Sequence, residues 1–63
     1  MVFIHLPDGT TTATGPGTVE EILERLDLNP YEILITRNGE LLLPDEPVEN
    51  ADTLTATSIV HGG

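Results

Sequence analysis

The amino-acid sequence predicts an α+β fold of order ββαβββ, with one amphipathic helix packed on a mixed β-sheet. Three observations carry that prediction. A single segment, Val19 to Leu26, repeats its apolar residues at helical spacing. Two β-favouring stretches, one on each side of it, turn back at Pro7-Asp8-Gly9 and at Asn38-Gly39. A last run, Thr53 to Val60, is again built of β-favouring residues.

At the start, Val2, Ile4 and Leu6 alternate with Phe3 and His5 until Pro7-Asp8-Gly9 stops them, and Thr10 to Thr14 resume as a second strand. This is an opening hairpin, broken in turn by Gly15-Pro16-Gly17. Thr18 follows as a helix N-cap with Glu21 three residues on, the spacing of a reciprocal capping box, so a helix is expected from about Val19. Val19, Ile22, Leu23 and Leu26 form its apolar stripe, and Glu20, Glu21, Glu24 and Arg25 face water. The acids also suit the positive end of the helix dipole. Asp27 to Pro30 is expected to end the helix, because a residue before proline is pushed out of helical angles.

Glu32 to Arg37 is the strongest strand, Asn38-Gly39 is the preferred pair for a type I′ turn, and Glu40 to Leu43 return antiparallel. Pro44, Asp45, Glu46, Pro47 and Glu49 read as an irregular crossover, and Asn50 to Asp52 as a turn before the final strand, Thr53 to Val60. That strand is placed between the two hairpins and parallel to the first. The arrangement is a β-grasp domain over residues 1–60, followed by a flexible tail, 61–63, ending in Gly-Gly.

Sixty-three residues suffice for one small domain, and the absence of cysteine removes disulfides, a thiolate nucleophile and cysteine-based metal sites. Eleven acids against Arg25 and Arg37 give a formal charge of -9, with no lysine. That balance opposes nucleic-acid binding, which depends on neutralising phosphate. It favours a partner with a basic surface, although a solvated surface adapted to high salt reads equally well. No apolar run approaches the roughly 20 residues that span a bilayer, and the start lacks the pattern of a secretory signal. A cytoplasmic monomer without membrane contact is expected.

Element order, length, the acidic capped helix, Arg37-Asn38-Gly39, Asn50-Ala51-Asp52 and the terminal Val60-His61-Gly62-Gly63 together resemble the ubiquitin-like sulfur carriers. That group includes ThiS of thiamine synthesis, MoaD of molybdopterin synthesis and the archaeal small modifier proteins, and the resemblance spans the whole chain. It implies a carrier rather than an enzyme. An adenylating partner of the ubiquitin-activating type would use ATP on Gly63, and sulfur transfer would leave a C-terminal thiocarboxylate for thiazole, molybdopterin or tRNA thiolation. In the archaeal modifiers the same end also joins to lysines of target proteins. Bacterial carriers often place an aromatic residue where this sequence has Thr57, and the short, acidic, lysine-free chain looks closer to the archaeal type.

The chemistry asks for such an end. A terminal carboxylate, with a pKa of about 3.3 to 3.7, is an anion near neutrality and a poor electrophile until a leaving group is attached. Glycine at 62 and 63 lets the backbone enter a narrow cleft beside ATP. The residues from Val60 to Gly63 span roughly 13 Å when extended. A frayed end accounts for the same glycines without a function. No catalytic group assembles: there is no cysteine and no pattern of a Ser/His/Asp triad. His5 and His61 stand too far apart in sequence to argue for a metal, so no metal and no bound cofactor is expected.

Ile59, Val60, His61 and Leu42 are the candidate partner contacts. Ile59 and Val60 fit core and contact equally, and three consecutive leucines, Leu41 to Leu43, cannot all face inward on a strand. Two other readings use the same sequence: a protein modifier joined through Gly63 to target lysines, and a β-grasp module that binds through its sheet and never uses its tail. Without lysine, no side chain here can accept an isopeptide bond from another copy.

Overall fold

The alternation expected of the first strand is what sets the sheet. In β1 (Val2–His5), Val2 and Ile4 are fully buried while Phe3 and His5 are exposed. The chain continues through β2 (Thr11–Thr14), β3 (Gly17–Thr18), α1 (Val19–Arg25), β4 (Ile33–Arg37), β5 (Glu40–Leu42), β6 (Pro47–Val48) and β7 (Thr53–Ser58). The computed structural model describes residues 1–59. Five strands form one sheet in the order β2-β1-β7-β4-β5, with β7 parallel to β1 and antiparallel to β4. This is the β-grasp arrangement, and the last strand lies between the two hairpins.

Both hairpins close on their turn residues. Asn38 and Gly39 have φ of 53° and 82°, the double left-handed geometry of a type I′ turn. At the first hairpin Gly9, φ 91°, is the left-handed residue, and the Asp8 carboxylate accepts from both the N–H and the hydroxyl of Thr10.

The capping box at α1 is complete. Thr18 Oγ1 accepts from the Glu21 N–H at 3.2 Å, and Glu21 Oε1 accepts from the Thr18 N–H at 2.9 Å. The next two N–H groups, of Val19 and Glu20, donate to the carbonyls of Glu46 and Pro44. The four N–H groups that a helix start leaves without partners are therefore all satisfied by this chain.

The other end of α1 falls where it was expected, at Asp27, but for a different reason. The helix stops at Arg25, with Leu26 as C-cap, because Asp27 turns left-handed at φ 59°. The N–H of Leu28 donates to the Leu23 carbonyl and that of Asp27 to the Glu24 carbonyl, the two bonds of a Schellman motif. Termination is thus local to Asp27, and Pro30 lies beyond it. Arg25 does not simply face water either. Its Nη1 donates to Thr14 Oγ1 at 3.1 Å and to the Gly15 carbonyl at 2.9 Å, tying the helix to the exit of β2.

The crossover after β5 also carries order that the sequence did not announce. β6 pairs antiparallel with β3, Gly17 opposite Val48 and Thr18 opposite Pro47, and Val48 enters the core. The core gathers Val2, Ile4, Val19, Ile22, Leu23, Ile35, Leu42, Val48, Leu54 and Ala56, with Leu6, Leu26, Leu28 and Ile33 packed against it. The remaining corrections are to bounds: β2 begins at Thr11, β4 begins at Ile33, β5 ends at Leu42 and β7 ends at Ser58.

Candidate functional site

Strand alternation divides the sheet into a face packed on α1 and an outer face. Following the registers from β1, the outer face carries Thr11 and Ala13 on β2, Phe3 and His5 on β1, and Thr53, Thr55 and Thr57 on β7. It continues with Leu34 and Thr36 on β4 and Leu41 on β5. None of these strand positions bears an acid, a lysine or an arginine, in a chain of formal charge -9. His5 is the titratable group, and its Nδ1 lies 2.9 Å from Thr11 Oγ1 on the neighbouring strand.

The apolar part of this face collects beside the end of β7. Leu34 is paired with Thr57, and Leu43, one residue past β5, continues the register opposite Leu34. Ile59 follows β7 in the same alternation, and its N–H donates to the Glu32 carbonyl. Leu34, Leu41, Leu43 and Ile59 are 39%, 53%, 57% and 41% exposed. Large apolar side chains gathered in the open on one face make this the candidate docking surface.

Two of the expected contacts sort out against this geometry. Ile59 is exposed beside the strand end. Leu42 is a correction: at 6% exposure it is a core residue opposite Ile35, because its strand position points toward the helix, and the exposed leucines are its neighbours Leu41 and Leu43. Alternation by itself could not find this, since Leu42 shares its face with the charged Glu40, and the pairing of β5 with β4 is what turns that face toward the core. Phe3 and Leu34, also exposed on the outer face, were not among the candidate contacts, although the alternation of Phe3 with Val2 and Ile4 already sets it on the face away from the core. Val60, His61, Gly62 and Gly63 lie outside the described residues.

The polar groups nearby are engaged in holding the frame. Arg37 Nη1 donates to Asp52 Oδ2 at 3.0 Å, and the same oxygen accepts from the Glu49 N–H at 2.9 Å. The Glu49 N–H holds the Asp52 carboxyl below its ordinary value of 3.8, partly opposed by burial and reinforced by Arg37. Glu21 and Asp8 are likewise held low, Glu21 by the N–H and hydroxyl of Thr18, Asp8 by the hydroxyl and N–H of Thr10. These are structural hydrogen bonds, and the surface hollow lined by Arg37, Glu46, Pro47, Glu49 and Asp52 has its guanidinium already occupied. The N-terminus of α1 offers no anion site, its N–H groups being satisfied. Among the described residues, no three histidine or acidic side chains converge as a metal ion would need. Nor is any helix there long and apolar enough to cross a membrane.

A β-grasp body with its last strand at the centre of the sheet, and a partly apolar face beside that strand's end, defines a protein of the ubiquitin-like class. The chain is 35% identical over 63 residues to the sulfur carrier protein TtuB of Thermus thermophilus, covering 98% of this chain and 97% of that protein. It is also similar to a computationally designed protein based on human erythrocytic ubiquitin, whose solution structure it matches with a TM-score of 0.66. That match has 35% identity and covers 98% of this chain and 94% of the other. No protein-family model matches the sequence. The chain belongs to the ubiquitin-like sulfur carrier family.

Proposed function

We propose that this protein carries sulfur on Gly63. A partner enzyme of the ubiquitin-activating type docks on Leu34, Leu41, Leu43 and Ile59 and takes the terminal carboxylate into its cleft beside ATP. The carboxylate oxygen attacks the α-phosphorus of ATP, forming the acyl-adenylate and releasing pyrophosphate. Sulfur at the oxidation level of hydrosulfide, supplied by a donor enzyme, then attacks the acyl carbon and AMP leaves, so that one oxygen of Gly63 is replaced by sulfur. The thiocarboxylate is a far better nucleophile than the carboxylate it replaces and is the donor to the final acceptor, a thiazole, molybdopterin or tRNA base.

The observation that carries this reading is the match to a sulfur carrier along nearly the whole chain, together with Gly62-Gly63 at its end. The matches give no support to an archaeal modifier in particular, and the choice of acceptor branch stays with experiment. Incubation with the cognate activating enzyme, ATP and a sulfur source tests the proposal by intact mass. The expected result is the gain of one sulfur for one oxygen, absent when Gly63 is deleted. No gain with an enzyme that is active on its own carrier would sink it.

One observation favours a second use of the same end. Without lysine, the side chains of this protein cannot compete as acceptors when Gly63 is activated, which suits transfer to lysines of other proteins. Covalent adducts one protein mass above their targets, lost on deleting Gly63, are the expected sign of such attachment.

A further inference from the structure

The five-stranded sheet ends in β2 on one side and β5 on the other, and the two edges are finished differently. β5 has three residues, opens on the charged Glu40 and is followed two residues on by Pro44. The N–H of Leu43, next along that edge, donates to the Glu46 carboxylate. Brevity, charge and a nearby proline are the devices that stop a sheet edge from pairing further. β2 is nearly as short, with four residues, and Pro16 follows it two residues on, but Thr11–Thr14 itself contains no charge, no side chain among the described residues caps its outward main-chain groups, and its register with β1 runs without a bulge.

The main-chain groups on that edge can be assigned. The Phe3 N–H donates toward β7, to the Asp52 carbonyl, so Phe3 and His5 turn their main-chain groups to β7 while Val2 and Ile4 turn theirs to β2. Their partners Thr14 and Thr12 are therefore the hydrogen-bonded residues of β2. Thr11 and Ala13 lie between them and direct an N–H and a C=O each away from the sheet, toward solvent. A neutral strand with two open donor–acceptor pairs is a template for another strand.

We propose that the β2 edge is a second protein-binding site, which takes an extended, basic-flanked segment of a partner protein as an added antiparallel strand. Charge selects the partner's chemistry. Both arginines are engaged, Arg25 with Thr14 and Gly15 and Arg37 with Asp52, and the formal charge is -9. Asp8 stands at the hairpin leading into β2, and the α1 side chain that reaches β2, Arg25, is taken up by Thr14 and Gly15 in a chain whose remaining charge is acidic. An acidic strand is repelled by this surround, and one flanked by lysine or arginine is drawn to it. The same charge opposes β2-to-β2 pairing of two copies. β2 lies across the sheet from Leu41, four strand spacings or about 19 Å away. A partner held at β2 therefore leaves Leu34, Leu41, Leu43 and Ile59 open.

The test is a backbone amide titration of the full chain by NMR with the synthetic peptide KKVTVTVKK. The expected result is slowed solvent exchange of the Thr11 and Ala13 amides, with cross-strand contacts from the peptide to β2. Loss of two main-chain hydrogen bonds should weaken binding at least about tenfold when the peptide carries N-methyl groups on the residues that face β2. The acidic counterpart EEVTVTVEE should bind at least about tenfold more weakly in low salt. Ala13→Pro, which removes an outward N–H that pairs with nothing in the sheet, should abolish the protection; should it not fold, the N-methylated peptide makes the same test on the unaltered chain. Equal binding of the N-methylated or acidic peptide, shifts confined to Leu34, Leu41 or the α1 carboxylates, or dimerisation of the chain alone through β2, would each overturn the proposal.

Discussion

The two faces of one sheet are built from alternate residues of the same strands, yet they serve opposite ends. On the inner face Val2, Ile4, Ile35, Leu42, Leu54 and Ala56 are buried against α1. One residue away on each strand, Phe3, Leu34, Leu41 and the threonines at 53, 55 and 57 stand in the open. In a domain of 63 residues, where little surface is buried, the inner side chains supply most of the apolar stabilisation. The outer ones are left available to a partner. Apolar residues on the two faces should accordingly differ in what their loss does.

The most severe test is Leu54→Ala on the inner face. With no exposure and core on every side, the lost burial and the cavity should cost about 2 to 5 kcal/mol in urea unfolding, which leaves so small a domain partly unfolded. A cost under about 1 kcal/mol would mean that the inner face is not the principal source of stability. Across the sheet, Leu34→Asp should change stability by no more than about 0.5 kcal/mol, as for an exposed site. Its loading by the activating enzyme should fall about tenfold in kcat/KM, a loss of about 1.4 kcal/mol at the docking surface. If Leu34→Asp loads normally, the outer face is not where that enzyme binds.

Smaller effects sharpen the comparison at the ends of α1. Thr18→Ala removes the cap and should cost about 1 kcal/mol, read as a lower urea midpoint with loading unchanged. Asp27→Gly should do the reverse and stabilise by about 0.5 to 1 kcal/mol, since it relieves a left-handed non-glycine residue and removes an acid from the negative end of the helix. Destabilisation would show that the Asp27 side chain has a role the hydrogen bonds do not reveal.

The smallest effect is in pH. Asp8, Glu21 and Asp52 are held below their ordinary values of 3.8, 4.5 and 3.8, so the unfolded chain binds protons more readily than the folded one in this range. What they contribute is complete above those values and is lost as pH falls through the lower folded values. Protonation also relieves repulsion among eleven acids, so the comparison to make is between proteins. Thr18→Ala and the unaltered chain should differ most above pH 5 and converge as Glu21 is protonated. A gap that persists at pH 2 would assign the cap's effect to the Thr18 hydroxyl without Glu21.

Much of this frame could be read from short-range chemistry. Thr18 with Glu21, Asn38-Gly39 and the alternation of Val2 to His5 each encode their geometry within about four residues, and each formed as expected. The end of α1 was placed correctly at Asp27, but its cause could not be read that way. Pro30 carries the stronger sequence signal, while Asp27 adopts a conformation that glycine or asparagine announces more clearly. Of the candidate contacts, Ile59 was legible as a residue at a strand end, and Leu42 was not, because the choice of face depends on where β5 pairs with β4.

The sequence by itself determined the order of elements, both hairpin turns and the start of the helix, since each rests on intrinsic backbone preferences or local capping. Tertiary structure alone decided the pairing of Gly17-Thr18 with Pro47-Val48 and the turning of Arg25 onto Thr14 and Gly15. It also decided which of three consecutive leucines is buried. The physical reason is common to all three. A two-residue strand, a long flexible cation and an alternating face have no preferred partner until distant segments arrive beside them.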